Sequence, residues 1–412
     1  MWDLEESDLP AALSLSYYFL STQLKQCFAY CSVFPKDHKF KKQRLIQLWI
    51  AEGFIRRNTT RMKEKAGDQY FDDLLHRSFF QHYYGSKYTF VMHDLVHDLA
   101  QAVSGELYGR FECGMKSSCN FKETRYSSMN CVNSINRDKN HDQKRLSTLI
   151  NLGGYFMSHR NCLIDSFGRL RYLRVLDLYK SNIKMLPDDI GDFKCLHYIN
   201  LSFARDIERL PVLLCDLFNL QSLILRYSGI HELPRGMKYL RNLQHLDVYG
   251  CIYLLSMPQG IGRLSNLKTL SEFTVSKEDD GRGIRELKEL RQLEGALSIC
   301  SLQNVIHPLD AREADLMSNP KVDGLTVRWD YSISGNKEVE VLESLQPHTD
   351  QLRSLRIFEY SGLTFPRWLM IDLPSYNKLV SLTLFNCCEC QVLTPIGKLP
   401  QLESLRLVNM MK

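Results

Sequence analysis

Met92-His93-Asp94 offers the sharpest chemistry in this sequence: an imidazole and a carboxylate side by side just before an apolar helical stretch. An imidazole N–H can donate to a phosphate oxygen, and a helix that begins at about Asp94 adds a dipole favourable to anions. In the plainer alternative His93 is a loop histidine and Asp94 only caps or braces the helix start. On residue chemistry alone the two stand level. His97 and Asp98 follow one turn later; a metal pair of His93 and His97 lacks a third ligand, so a helix surface is expected there.

Other reactive residues resolve into packing. Cys27 and Cys31 stand four apart around Phe28 and Tyr30, without partners at zinc or redox spacing, and read as buried helix positions. Cys387, Cys388 and Cys390 read the same way. Gly260-Ile261-Gly262 lacks the lysine that a phosphate-cradling loop requires and reads as a turn. Lys39, Lys41, Lys42 and Arg44 precede an apolar helix that a winged helix could lay in DNA, but the basic group is small. No triad, metal cluster or paired acid and base points to an enzyme.

The elements that position these residues fall into two kinds. From residue 173 the pattern L-x-x-L-x-L recurs, with middle leucine-type positions at Leu176, Ile199, Leu223 and Leu246, and prolines keep the same beat at Pro187, Pro211, Pro234 and Pro258. A period of 23–24 residues, carried by two independent markers, is that of leucine-rich repeats. No such unit can bury its apolar face alone, so neighbours must stack. Looser strands are expected near 297–299, 325–327, 352–357, 379–384 and 402–407, with an earlier one at 146–150, giving about eleven units. The last strand ends close to Lys412 with no polar capping unit, which suggests a longer native product.

Alternation along these strands should turn Asp177, Tyr179, Arg226, Asp247, Tyr249, Arg356, Phe358, Phe385 and Arg406 to an open face, where aromatics and arginines suit protein recognition. The arginines of this face stand at Arg226, Arg356 and Arg406, while the acids Asp177 and Asp247 lie in early repeats, a division that suits docking of the early repeats on the chain's own head.

The first hundred residues differ. Helical spacing at 45–49, 66–75 and 95–103 surrounds two short strands, Phe79 to Tyr83 and Tyr88 to Val91, joined through Gly85-Ser86. Helices plus such a wing predict a winged helix-turn-helix domain over 9–108, after a leader at 1–8. An irregular connector follows over 109–145, part of which could pair as an edge strand, and the repeats run from 146 to 412. The fold expected is α/β overall: an α-helical winged helix followed by a solenoid with a curved parallel sheet and an irregular convex side.

The chain has 412 residues, 44% hydrophobic and 24% charged, enough for a core without disulfides or metals. A net charge of +5 marks neither a dedicated nucleic-acid binder nor a binder of acids. Met1 to Pro10 is acidic and no apolar run spans a bilayer, and 13 scattered cysteines fit reduced thiols. Together these suit the cytoplasm, with the nucleus or the periphery of the plasma membrane as further locations.

Several long segments resemble one family in order. Leu9 to Ile55, Tyr70 to Gln81 and Phe90 to Gly105 are similar to the winged-helix end of plant coiled-coil-type nucleotide-binding leucine-rich-repeat disease-resistance proteins; Glu313 to Trp329, Thr364 to Leu369 and Asn386 to Leu407 are similar to their repeats. The resemblance implies that Met92, His93 and Asp94 form the family's Met-His-Asp motif, with His93 reaching the β-phosphate of ADP in the resting state. It implies an ADP/ATP switch restrained by repeats that recognise a pathogen effector or a guarded host protein, with intact receptors as further partners. The family's phosphate loop, G-x-x-x-x-G-K-[ST], is absent from these residues, as are its coiled coil and Mg²⁺-binding acids. The expectation is therefore a receptor piece that binds no nucleotide tightly by itself, or a freestanding interaction module or decoy.

Overall fold

The computed structural model describes residues 11–56, 60–111, 124–129, 145–152, 170–278, 282–330, 337–372 and 375–410. The leader expected over 1–8 and much of the connector lie outside them. The chain divides into two compact units, residues 1–182 with 192–200, and residues 183–191 with 201–412. The helical head therefore does not stand alone: it shares a unit with the first repeats.

In the first unit five helices build the head: α1 (Ala11–Tyr18), α2 (Thr22–Tyr30), α3 (Lys42–Glu52), α4 (Thr60–His76) and α5 (Asp94–Ser104). Ser21 starts α2 by accepting the Leu24 N–H through its Oγ at 3.3 Å. Gly53, with φ of 80°, ends α3 in the left-handed conformation, and a Cβ there would come within 3.0 Å of Arg174 Nη1. The wing strands β1 (Gln81–His82) and β2 (Phe90–Val91) are shorter than expected and antiparallel. Phe40 and Phe90 exchange both backbone hydrogen bonds, which pins the wing to the segment before α3. Phe28, Trp49, Phe71, Phe79 and Phe80 form a fully buried aromatic centre, with Phe71 stacked on Phe80 at 5.0 Å.

After the head come five parallel strands: β3 (Tyr108–Phe111), β4 (Tyr126–Met129), β5 (Thr148–Asn151), β6 (Val175–Asp177) and β7 (Tyr198–Asn200). Two of them, β3 and β4, fall in the stretch expected to be an irregular connector. They lack leucines, yet the ladder accepts them because Ser127 and Ser128 are buried and Ser128 Oγ donates to the Val33 carbonyl at 2.6 Å.

In the second unit β8 (Ser222–Ile224), β9 (His245–Asp247) and β10 (Thr269–Leu270) form one parallel ladder. A second ladder runs β11 (Glu272–Thr274), β12 (Gly295–Cys300), β13 (Val322–Arg328), β14 (Ser354–Phe358), β15 (Ser381–Phe385) and β16 (Ser404–Val408). Only Ser271 separates β10 from β11, so one extended segment serves both ladders; the Ser271 Oγ accepts the Val248 N–H at 2.9 Å. The recurrent leucines fill the core. The prolines open the return turns: the carbonyls of Pro211 and Pro234 accept the N–H groups of Leu214 and Met237 at 3.1 and 3.0 Å. Later turns use helices instead, α6 (Pro308–Glu313), α7 (Lys337–Ser344) and α8 (Arg367–Met370).

Gly67 on α4 lets α3 approach closely, since a Cβ there would lie 2.5 Å from Ile46 Cγ2. Gly67→Val should therefore destabilise the first unit by about 1–3 kcal/mol, read as a lowered thermal midpoint; a midpoint equal to that of the parent chain would show that the crossing has room to spare.

Candidate functional site

Met92-His93-Asp94 stands at the junction of β2 and α5. His93, not Asp94, is the N-cap: its φ and ψ are −63° and 148°, and its Nδ1 accepts the Leu95 N–H at 3.3 Å. Asp94 is the first helical residue and adds its charge to the first turn. A ring that accepts through Nδ1 carries its proton on Nε2 when neutral. His93 is exposed, whereas Met92 is buried as an anchor beneath it. The site is thus a helix N-terminus capped by an exposed imidazole.

His97 corrects the expectation of a helix surface. It is buried, and its Nε2 meets the Phe34 carbonyl at 2.8 Å, tying α5 to the turn after α2. Asp98 pairs with Lys36 at 2.6 Å on the outside. Cys27 and Cys31 are buried, and Cys31 Sγ donates to the Cys27 carbonyl at 3.4 Å. Burial pushes both thiols well above their ordinary pKa. Cys387 and Cys390 are buried as well, and Cys388 is exposed. Among the described residues no group of three or more His, Cys, Asp or Glu is placed to hold a metal ion.

Half of the basic group, Lys42 and Arg44 at the start of α3, is committed inside the protein, and Lys39 and Lys41 are exposed. Lys42 reaches Asp72 at 2.7 Å and Asp68 at 3.3 Å on α4, Lys39 lies 4.1 Å from the Tyr83 ring centroid, and Arg44 donates to Asp177 Oδ2 at 2.6 Å. This last contact corrects the placing of Asp177 on an open recognition face: its side chain is 0% exposed. Its other oxygen accepts the Tyr179 N–H at 3.1 Å and the Asn200 Nδ2 at 2.9 Å. Burial alone would lower the Arg44 pKa; the charges of Asp177 and Tyr198 more than offset it and hold it above its ordinary value.

A second polar knot closes the C-terminal end of α3. Ser147 Oγ donates to Glu52 Oε2 at 2.6 Å, Thr148 Oγ1 donates to Glu52 Oε1, and Arg174 Nη1 donates to the Glu52 carbonyl at 2.8 Å. Burial raises the Glu52 pKa, and the hydroxyls and the Arg174 charge pull it down without cancelling that rise. Both ends of α3 are therefore fastened to strands β5 and β6.

The remaining open-face residues keep their expected side. Asp247 repeats the chemistry of Asp177: it accepts the Tyr249 N–H at 3.1 Å and pairs with Arg226 at 3.3 Å. The guanidinium of Arg226 lies 5.0 Å from the Tyr249 ring, as that of Arg44 lies 5.8 Å from Tyr179. The same Asp-x-Tyr cradle thus holds an arginine from the head at β6 and one from the neighbouring repeat at β9. Arg356 and Arg406 are exposed, and Phe358 and Phe385 half-buried. The glycine string is a turn that binds a carboxylate: the N–H groups of Gly260 and Gly262 each donate to Glu286 at 2.8 Å. Sequence reasoning missed Glu52 and Arg174, which carry no motif and acquire a role only through burial.

Helices with a β-wing followed by stacked parallel leucine strands define a winged-helix and leucine-rich-repeat protein. Residues 33–100 match the model of the disease resistance protein winged helix domain, and residues 284–410 that of the R13L1/DRL21 leucine-rich repeats. The chain is 37% identical, over its full length, to putative disease resistance RPP13-like protein 1 of Arabidopsis thaliana, of which it covers 40%. It is also 37% identical, over 99% of its length, to putative disease resistance protein RGA1 of Solanum bulbocastanum, covering 39% of that protein. A leucine-rich-repeat protein of Leptospira interrogans, 18% identical, aligns with a TM-score of 0.34 over 64% of this chain and 72% of its own. Through its winged helix and its repeats the chain is similar to plant disease-resistance proteins, and it spans about 40% of the length of the curated relatives it matches. Among the described residues no helix is long and apolar enough to cross a membrane.

Arg44→Met strands a buried carboxylate without its counter-charge and should cost about 3 kcal/mol of unfolding free energy. Adding Asp177→Asn should recover part of it, because the Asn200 and Tyr179 contacts can persist; a single variant as stable as the parent would refute the lock. Glu52 carries a pH dependence of definite sign. Its folded pKa is raised, so its contribution to stability is full below the ordinary carboxylate pKa and is lost as pH rises through the folded value. Denaturant unfolding should therefore show the parent chain gaining on Glu52→Gln as the medium is acidified, and a gap that widens the other way would contradict the assignment.

Proposed function

We propose that the chain is the switch-reading and recognition portion of a plant disease-resistance receptor. Its repeats recognise a pathogen effector or a host protein that an effector has modified, and they restrain an ADP/ATP switch in its resting form. It acts by binding rather than by catalysis, in the cytoplasm. The observation that carries this reading is the pair of fastenings on α3. They make the head and the first repeats one unit, so a ligand that binds the repeats unequally in two states can bias the head. His93 supplies the phosphate end: its exposed Nε2–H is the donor, and the dipole of α5, whose N-terminus it caps, favours a β-phosphate.

These residues include no G-x-x-x-x-G-K-[ST] loop, so the chain alone should show no micromolar ADP affinity by calorimetry; such affinity would overturn this part of the proposal. Joined to the remainder of the 37% identical Arabidopsis relative, of which it covers 40%, the chain should retain ADP through dialysis. His93→Ala should shorten that retention, and an unchanged rate of ADP loss would remove His93 from the switch. The second reading is an interaction module that acts on intact receptors, which predicts co-purification with a full-length relative.

A further inference from the structure

The open face of strands β13–β16 carries uncompensated positive charge in a fixed pattern. Register sets Thr326, Arg356, Thr383 and Arg406 side by side, and Arg328, Phe358, Phe385 and Val408 in the next row. The intervening residues, such as Leu355, Ile357, Leu382 and Leu384, are buried. Arg328, Arg356 and Arg406 are all exposed, and none is paired with a carboxylate among the described residues. Elsewhere in the chain Arg44, Arg226 and Arg285 are each matched to an aspartate. Beside the free arginines runs an aromatic strip. The Arg328 guanidinium lies 4.9 Å from the Phe358 ring, and the Phe358 and Phe385 rings are 5.7 Å apart.

We propose that this face receives an acidic, extended peptide segment of a partner protein, with carboxylates on Arg356 and Arg406 and an apolar side chain on the Phe358–Phe385 strip. The inference rests on the reading that the repeats recognise a protein, and it names the chemistry of that protein. Geometry restricts the segment further. Arg356 and Arg406 stand two strands apart, about 9.6 Å. A polyproline II segment returns to the same side every third residue, about 9.3 Å along its axis. A β-strand puts residues three apart on opposite faces. The matching segment therefore has acidic residues at i and i+3 and an apolar residue at i+1. Planar guanidinium–carboxylate pairing fixes its register, and contact with the aromatic strip adds apolar burial.

The test is fluorescence anisotropy of a labelled Glu-Leu-Pro repeat peptide titrated with the 412-residue chain at low salt. It should bind at least about tenfold more tightly than the Gln-Leu-Pro peptide and weaken as salt is added. Arg356→Glu with Arg406→Glu should abolish binding of the acidic peptide and confer binding of a Lys-Leu-Pro peptide. That reversal also shows that the variant is folded. Equal affinity for the Glu and Gln peptides would overturn the proposal. So would tighter binding of a single-stranded oligonucleotide, which would assign the arginines to phosphates. A partner protein that bound the doubly substituted chain as well as the parent chain would leave protein recognition standing and remove the acidic segment from it.

Discussion

Asp177 is fully buried, and a carboxylate withdrawn from water persists only if its charge and both oxygens are answered. The answer comes from three directions: a guanidinium on α3, a backbone N–H of its own strand end and an amide at the end of β7. None of these partners can move far without exposing or orphaning the acid. The position of α3 against the first repeats is consequently set by electrostatics as much as by apolar packing, and Glu52 repeats the constraint at the other end of the helix. Two polar fastenings about one helix length apart resist rotation as well as separation.

The stacking of leucine strands supplies the rigid half of that arrangement. Each repeat buries its leucines only against its neighbours, so the strands that hold Asp177 and Thr148 are held by the ladder around them. Strands β3 and β4 extend this ladder beneath the head, and Ser128 of β4 hydrogen-bonds the Val33 carbonyl in the turn after α2. The exposed rows of the later repeats and the Asp-x-Tyr cradles of the earlier ones are thus variations on one device, in which side chains alternate off a pleated ladder and are either matched from within or left in solvent.

Much of this was legible in the sequence. Two markers sharing one period give the solenoid, and helical spacing around a Gly-Ser turn gives the winged helix. Alternation assigns Asp177, Asp247, Arg356 and Arg406 to the same side of their strands, as found. It cannot say what covers that side. Arg44 lies 133 residues from Asp177 in the chain, and only the fold brings them together. The cap of α5 was read as Asp94 because aspartate is a common capping residue; the imidazole took the place because its Nδ1 reaches the Leu95 N–H. His97 looked like a surface residue from its polarity, but a buried histidine is stable where a backbone carbonyl meets it. For β3 and β4 the sequence offers only a connector part of which could pair as an edge strand, because the leucine pattern is the usual sign of a repeat, and in β4 buried serine hydroxyls stand in its place.

Helix α5 begins with His93 as its cap and ends at Ser104, and only Gly105 to Leu107 separate it from β3. Three residues in a single tight turn leave no slack. The helix behaves as a short crank whose far end is welded to the first rung of the sheet, while His97 grips the Phe34 carbonyl midway. A tilt that moved the imidazole by an ångström would have to strain that rung or break that grip, so the histidine's position is set by the ladder below it.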